Sequence, residues 1–164
     1  MDEPTAIHEP TLTDEPTAIH EPTLTDDLRL TDEAWATLRA AIDRVIPTDD
    51  YPSATANGVD VYLARQLATD LAPMLIIYRA GLAGLEAEAL AAHELGFAQI
   101  ADAERDAILD RAERGTVVAP WKTPPSRFVA LLAEHTIEGY YADPSNGGNA
   151  ALASWRMLGF EVTA

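Results

Sequence analysis

The chain has 164 residues, 48% of them hydrophobic, and a formal net charge of −16. This length supports one domain with a hydrophobic core and is too short for two ordinary domains. The negative charge argues against nucleic acid or an anionic membrane surface as a partner, because both would repel the protein. The absence of cysteine excludes disulfides and thiolate chemistry. No segment has the apolar length of a membrane span.

A perfect tandem repeat opens the chain, where residues 2–13 recur as residues 14–25. Residues 1–27 hold eight acidic residues and no lysine or arginine, and the four prolines of the repeat oppose helix and sheet hydrogen bonding. With little apolar surface to offset the entropy of ordering, this tail is predicted to be disordered or extended when free.

Two interpretations of the repeat remain open. One is a short linear motif presented twice, which docks on a partner with weak avidity through Ile7, Leu12, Ile19 and Leu24. The other is an inert solubilising tail. We favour the inert tail, because a duplication by itself needs no selected purpose.

Helical periodicity begins after the tail. Thr31 or Asp32 can cap a first helix that Pro47 ends. A loop is predicted over residues 47–57, and a second helix over residues 59–72. The side chains predicted to face inward are Trp35, Leu38, Ile42 and Val45 in the first helix, and Val59, Tyr62, Leu63 and Leu67 in the second.

An alanine-rich central helix is predicted over residues 74–95, after Pro73 has restarted or kinked the chain. Gly81 and Gly84 indicate that another backbone or a bulky side chain approaches there, because glycine inside a helix is otherwise costly. The side chains predicted to be buried are Leu75, Ile76, Leu82, Leu85 and Leu90.

A fourth helix follows a short turn. Gly96 is placed to cap the central helix, and Asp102 is placed to cap a helix over residues 103–113. Gly115 is predicted to end that helix.

The last long helix begins at Ser126 and reaches Tyr140. The link before it contains one weak strand-like stretch at residues 116–119, and nothing else alternates as a strand does. The predicted fold is therefore all-α: one domain over residues 28–164, built as an irregular bundle of about five helices with an extended tail over residues 1–27 and an irregular C-terminal loop.

The C-terminal segment combines a turn with large aromatic side chains. Asp143-Pro144 starts the turn, and residues 146–149 tolerate positive φ. A protein interface would bury such side chains, and so would this chain's own core; the two interpretations are evenly balanced. The predicted partner-binding residues are Tyr140, Tyr141, Asp143, Pro144, Asn146, Gly147, Gly148, Asn149, Trp155, Arg156 and Phe160.

No catalytic, cofactor-binding or metal site is predicted. Glu134, His135 and Glu138 cluster within one turn, but a leucine rather than a glutamate stands three residues before each histidine of the folded domain, unlike a helical di-iron site. Phosphate-loop, dinucleotide-binding and nucleophile-elbow motifs are absent. Glu138 and Arg156 are candidates for an ion pair that fixes the loop, or both are solvated.

The alternative to a partner-binding protein is a free-standing helical enzyme or ligand-binding domain. Its pocket would be lined by His93, Tyr78 or Trp121.

Four stretches resemble one known family: Thr-Ile-Glu-Gly-Tyr-Tyr at 136–141, Asp143-Pro144, Gly-Gly-Asn at 147–149 and Trp-Arg-Met-Leu-Gly-Phe at 155–160. They resemble the gluconate 2-dehydrogenase subunit 3 family, the small subunits of flavin-dependent sugar and polyol dehydrogenases. Looser matches lie upstream, so the resemblance covers roughly residues 28–161. These matches are Leu30-Thr31-Asp32-Glu33, Val45-Ile46-Pro47 and Gly58-Val59.

The resemblance implies an accessory subunit with no cofactor of its own. It would bind a large FAD-containing subunit of the glucose-methanol-choline type, which oxidises gluconate, glucose or a glucoside, and support its folding, export or activity. A cytochrome c or another electron acceptor is a further candidate partner.

The N-terminus predicts a cytoplasmic protein, because it has neither a basic region nor a twin-arginine pair before an apolar stretch. Many small subunits of the family carry a twin-arginine signal, so co-export to the periplasm with a partner is the alternative.

Overall fold

A computed structural model of the chain describes residues 29–160, so the tandem repeat lies outside the described residues. No strand occurs within that range, which confirms the all-α class, and residues 116–119 form an irregular link rather than a strand. Three short 3₁₀ turns lie at Ala72–Met74, Pro144–Asn146 and Ala150–Leu152. The described α-helices are Asp32–Val45 (α1), Val59–Ala68 (α2), Leu75–His93 (α3), Asp102–Glu113 (α4), Pro125–Tyr141 (α5) and the short Ala153–Met157 (α6).

The first helix begins where the sequence predicts. Thr31 is the N-cap of α1, and its hydroxyl oxygen accepts a hydrogen bond from the amide of Ala34 at 3.2 Å. At the other end of α1, the guanidinium of Arg44 donates to both carboxylate oxygens of Asp106, at 2.7 and 2.9 Å. These bonds hold α1 against α4, and they keep the pKa of Asp106 below its usual range.

The predicted extent of α2 is wrong at its C-terminal end, because the helix ends at Ala68 rather than at residue 72. Thr69 leaves the helical region, and its hydroxyl donates to the carbonyl of Arg65 at 2.9 Å. Pro73 has no amide hydrogen to donate and disfavours helical geometry at the residue before it, so it lies in a 3₁₀ turn that restarts the chain into α3.

Two predicted caps are also wrong. The left-handed residue that ends α3 is Glu94, with φ of 58°, and not Gly96. Asp102 is the first residue of α4 rather than its cap. The N-cap is Ala101, which has no side-chain oxygen to accept a hydrogen bond from the helix. Its own amide donates to the carboxylate of Glu104 at 2.8 Å, which is one of the two hydrogen bonds of a capping box. Gly115, with φ of 69°, follows the end of α4 as predicted.

Helix α3 lies at the centre of the bundle and contacts α1, α4 and α5. Leu75, Leu82 and Leu85 are buried as predicted, but Ile76 and Leu90 are 74% and 50% exposed. These two exposed side chains are 14 positions apart, nearly four helical turns, so both lie on one outward face. No helix within residues 29–160 is long and apolar enough to cross a membrane.

The two glycines of α3 make the close approaches that the sequence predicts. A Cβ atom at Gly81 would overlap the ring of Phe128, and one at Gly84 would overlap the ring of Trp121. Phe128 and Trp121 lie next to each other, with ring centroids 6.2 Å apart. The glycines therefore let α5 and the preceding link pack directly on the backbone of α3.

Gly81→Ala should destabilise the protein by about 1–2 kcal/mol, because overpacking against Phe128 outweighs the gain in helix propensity. Urea denaturation measures the loss. A double-mutant cycle with Phe128→Leu is the control, since a smaller side chain makes room for the methyl group. Equal losses in the two backgrounds would contradict the packing argument.

Candidate partner-binding surface

The C-terminal segment starts from a buried tyrosine at the end of α5. Tyr140 is 2% exposed, and its hydroxyl donates to the carbonyl of Pro52 at 2.8 Å. Burial raises the pKa of Tyr140 above its usual value, so the phenol keeps its proton. The carbonyl of Tyr140 accepts a hydrogen bond from the side-chain amide of Asn57 at 3.1 Å. The end of α5 is therefore fixed to the loop between α1 and α2.

Close backbone contacts between glycines hold the next part of the segment. A Cβ atom at Gly148 would collide with the carbonyl oxygen of Gly139, and one at Gly58 would lie 2.6 Å from the carbonyl oxygen of Gly147. Gly147 also has φ of 104°, a conformation that side chains rarely adopt. We call these four glycines the glycine contact. It lets the loop lie directly on α5 and on the N-terminus of α2.

Asn149 continues this attachment from a fully buried position with φ of 50°. Its side-chain oxygen accepts hydrogen bonds from the amide and the hydroxyl of Ser154, at 3.0 and 2.6 Å. The amide of Ala150 donates to the carbonyl of Asn57 at 3.0 Å. Asn57 thus binds the segment on both sides of the glycine contact.

The turn between these two attachments is held by a carboxylate. Asp143 accepts a hydrogen bond from the amide of Ser145 at 2.9 Å, and hydrogen bonding to Ser145 lowers the pKa of Asp143. Pro144 opens the 3₁₀ turn that follows. The guanidinium of Arg65 donates to the carbonyl of Ser145 at 2.7 Å, which ties the turn to α2.

Three aromatic side chains lie on the outer side of this segment. Phe160 is 63% exposed, Tyr141 is 37% exposed and Trp155 is half-buried. The indole N–H of Trp155 donates to the carbonyl of Tyr141 at 3.0 Å, and its ring meets that of Phe160 edge-on with centroids 5.6 Å apart. Ile137, 50% exposed, lies one turn before Tyr141 on the same face of α5. We call these four residues the aromatic surface.

The predicted partner-binding residues therefore fall into two groups. Tyr140, Gly148 and Asn149 are buried and belong to the domain itself. The exposed or half-buried members are Tyr141, Asp143, Pro144, Asn146, Gly147, Trp155, Arg156 and Phe160.

Two residues of this site, Asn57 and Ile137, were not predicted as site residues; Asn57 was predicted to lie in a loop. The Asn-Gly dipeptide at 57–58, placed directly before a helix, is the signal that was available for Asn57.

Of the two alternatives for Glu138 and Arg156, an ion pair or two solvated side chains, the structure agrees with the second. Both side chains are exposed, and no salt bridge joins them in the described part of the chain. The segment is held by the backbone and amide hydrogen bonds above instead. No group of three metal-ligating side chains that could hold an ion is present within residues 29–160.

The residues of the alternative pocket each have structural partners. Tyr78 is fully buried, and its hydroxyl is hydrogen-bonded to Nδ1 of His135 at 2.9 Å. Burial raises the pKa of Tyr78 far above its usual value, so the phenol stays protonated. Tyr78 and Trp121 both pack against the ring of Phe128. Nδ1 of His93 lies 3.3 Å from the carboxylate of Glu104 instead.

The fold and the site define an all-α domain that presents ordered aromatic side chains on a fixed C-terminal segment. The chain belongs to the gluconate 2-dehydrogenase subunit 3 family, whose model matches residues 32–161. Membership makes it an accessory subunit of a multi-subunit dehydrogenase. No curated protein and no solved structure matches the chain.

Tyr78→Phe should destabilise the protein by about 1–2 kcal/mol, because Nδ1 of His135 would lose its partner in a buried site. Turnover per assembled dehydrogenase complex should not change if His135 has a structural role only. Thermal denaturation and steady-state kinetics measure the two effects. Tyr141→Phe is the matched control, since its exposed ring should tolerate the loss of a hydroxyl. A fall in turnover with normal assembly would make His135 part of an active site.

Gly148→Ala should release residues 149–157 from α5 while the long helices stay folded, because the added methyl group cannot fit beside Gly139. Hydrogen exchange of the Ser154 amide and Trp155 fluorescence measure the release. Gly159→Ala is the control, because no atom lies within 4 Å of its added Cβ; unlike Gly148, Gly159 has a positive φ of 71°, so any loss specific to Gly148→Ala comes from the contact with Gly139 and not from φ. Unchanged protection of Ser154 in Gly148→Ala would show that the glycine contact does not hold the segment.

Proposed function

We propose that this chain is the non-catalytic small subunit of an FAD-dependent sugar or polyol dehydrogenase of the glucose-methanol-choline type. Oxidation of a carbohydrate carbinol, with hydride transfer to FAD, would occur wholly in the large subunit. This chain would contribute no cofactor and would stabilise the large subunit by binding it through the aromatic surface. Family membership supports the accessory role, and the aromatic surface supports the mode of binding.

The aromatic surface carries this proposal. Burial of a large hydrophobic side chain contributes about 1.5–3 kcal/mol of free energy relative to leaving it in water. Here Phe160 and Tyr141 stay exposed although Trp155 links them to a rigid base. Tyrosine and tryptophan are frequent anchors of protein interfaces, and their two side-chain torsions lose little entropy on binding. The arrangement suits a permanent partner better than a solvent-facing surface.

The attachment beneath the aromatic surface also favours tight binding. Asn57, Asn149 and the glycine contact fix the segment before any partner arrives, so little conformational entropy remains to be lost on association. Arg156 lies between Trp155 and Phe160 in the chain and is exposed, and so offers a cation at the rim of the surface. A carboxylate of the flavoprotein is its natural counterpart.

The same proposal includes an electron acceptor and a cellular compartment. A cytochrome c or another acceptor would reoxidise the flavin, and the small subunit would lie in whichever compartment its partner occupies. The predicted cytoplasmic location and co-export with the partner are both compatible with this role.

Co-expression with a candidate large subunit tests the proposal. A tagged copy of this chain should retain a large protein with flavin absorbance, and the yield of soluble small subunit should rise when the two are expressed together, because the aromatic surface becomes covered. A monodisperse monomer that retains no flavoprotein would overturn the proposal.

Phe160→Ala and Trp155→Ala should each weaken the complex by about 2 kcal/mol or more if these side chains are anchors. Because Phe160 is mostly exposed in the free chain, its replacement should leave the melting temperature nearly unchanged. Titration calorimetry with the large subunit measures the affinity, and circular dichroism measures the fold. Val118→Ala is the matched control, since that side chain is 80% exposed on the link before α5. Equal affinities for Phe160→Ala and Val118→Ala would place the interface elsewhere.

A further inference from the structure

A second exposed apolar surface lies on α3, away from the aromatic surface. A cleft of about 600 Å³ is bordered by Ile76, Ala80, Arg79 and Lys122, with Leu75 on one side. Ile76 is 74% exposed, which leaves a large apolar side chain open to water at the cleft. We call this feature the cationic cleft.

The charge of this cleft is unusual for the protein that carries it. Residues 29–160 contain 18 acidic and 11 basic residues. Two of the residues that line the cationic cleft are basic and none is acidic. Its occupant should therefore be acidic, with an apolar side chain to cover Ile76.

The N-terminal tail has that chemistry. Each copy of the repeat places an isoleucine and a leucine on either side of a glutamate, as in Ile19, Glu21 and Leu24. Residues 1–27 include eight acidic residues and no lysine or arginine. We propose that the repeat is an intramolecular ligand of the cationic cleft, with its glutamates near Arg79 and Lys122 and an apolar side chain against Ile76.

The tail joins the domain close enough to reach this cleft. Arg29 and Leu30, the first described residues, line a neighbouring cleft that shares Leu75 with the cationic cleft. Glu21 and Arg29 are eight positions apart, and an extended chain of that length spans about 25 Å. This tether is long enough for the second copy to reach the cleft, and the first copy has a longer tether.

Duplication of the repeat raises the occupancy of the cationic cleft. A short tether gives the second copy an effective concentration of about a millimolar, so a contact with a Kd near a millimolar is about half occupied. The first copy competes for the same cleft and raises its occupancy further, by at most about twofold when the contact is weak. This occupancy depends on salt, because exposed charges are screened within about 3 Å at 1 M ionic strength. The repeat would shield Ile76 until a stronger acidic partner displaces it.

Disulfide trapping tests the proposal cleanly, since the chain has no cysteine of its own. The full-length chain carries Thr23→Cys in the second copy of the repeat and Ala80→Cys at the cleft. At low salt and low protein concentration, an intramolecular disulfide should form under mild oxidation. The same pair in a Lys122→Glu background should form it about tenfold more slowly, because the acidic tail is then repelled. Salt at 1 M should slow the original pair towards the same rate.

Arg127→Glu is the matched control. It makes the same change of charge at an exposed cation that does not border the cationic cleft. The disulfide should form at nearly the original rate in this background. Equal rates in the Lys122→Glu and Arg127→Glu proteins would overturn the proposal. A disulfide that forms only between two molecules would also overturn it, and would assign the cleft to a second copy of the chain.

Discussion

The close approach of the C-terminal loop to α2 and α5 is the constraint on which the aromatic surface depends. At Gly148 the loop lies so close to α5 that an added Cβ would collide with the carbonyl oxygen of Gly139. A Cβ at Gly139 would meet the side chains of Tyr62 and Val59 on α2. The contact brings the loop within reach of Asn57, which bonds to it on both sides. Buried amide hydrogen bonds are costly to leave unmade, so the loop has one well-defined path.

That path decides where the aromatic side chains point. Tyr140 turns into the domain and bonds to Pro52, while its neighbour Tyr141 remains on the outside. Trp155 reaches back to the carbonyl of Tyr141, and Phe160 packs against its ring. One segment thus serves two purposes. Its inner side completes the core, and its outer side presents an apolar surface that a larger subunit can cover.

Glycines also allow close packing at the centre of the bundle. Gly81 and Gly84 let aromatic rings rest on the backbone of α3, so the link before α5 can pass close to the core. The buried carboxylate of Glu88 then holds that link by accepting hydrogen bonds from the amides of Val118 and Ala119, at 2.8 and 2.6 Å. The amides of this link are satisfied by a side chain, which explains how the stretch avoids pairing as a strand.

The sequence by itself determined the local features of this protein. Helical periodicity located the five long helices, Thr31 marked the start of the first one, and the glycines of α3 indicated close packing. These features depend on neighbours within one or two turns, so a short window contains the information. The motifs at 136–160 were also enough to reach the family, because they lie close together in the chain.

Only the tertiary structure decided which of these residues are buried and which are exposed. Asn57 and Tyr140 are 83 positions apart, and Arg65 and Ser145 are 80 apart, so nothing in a local pattern pairs them. The same limit applies to Ile76, which continues an apolar stripe but is 74% exposed among the described residues. Periodicity reports that a residue is apolar and regularly spaced; which side of a helix becomes the inside depends on how distant segments pack against it.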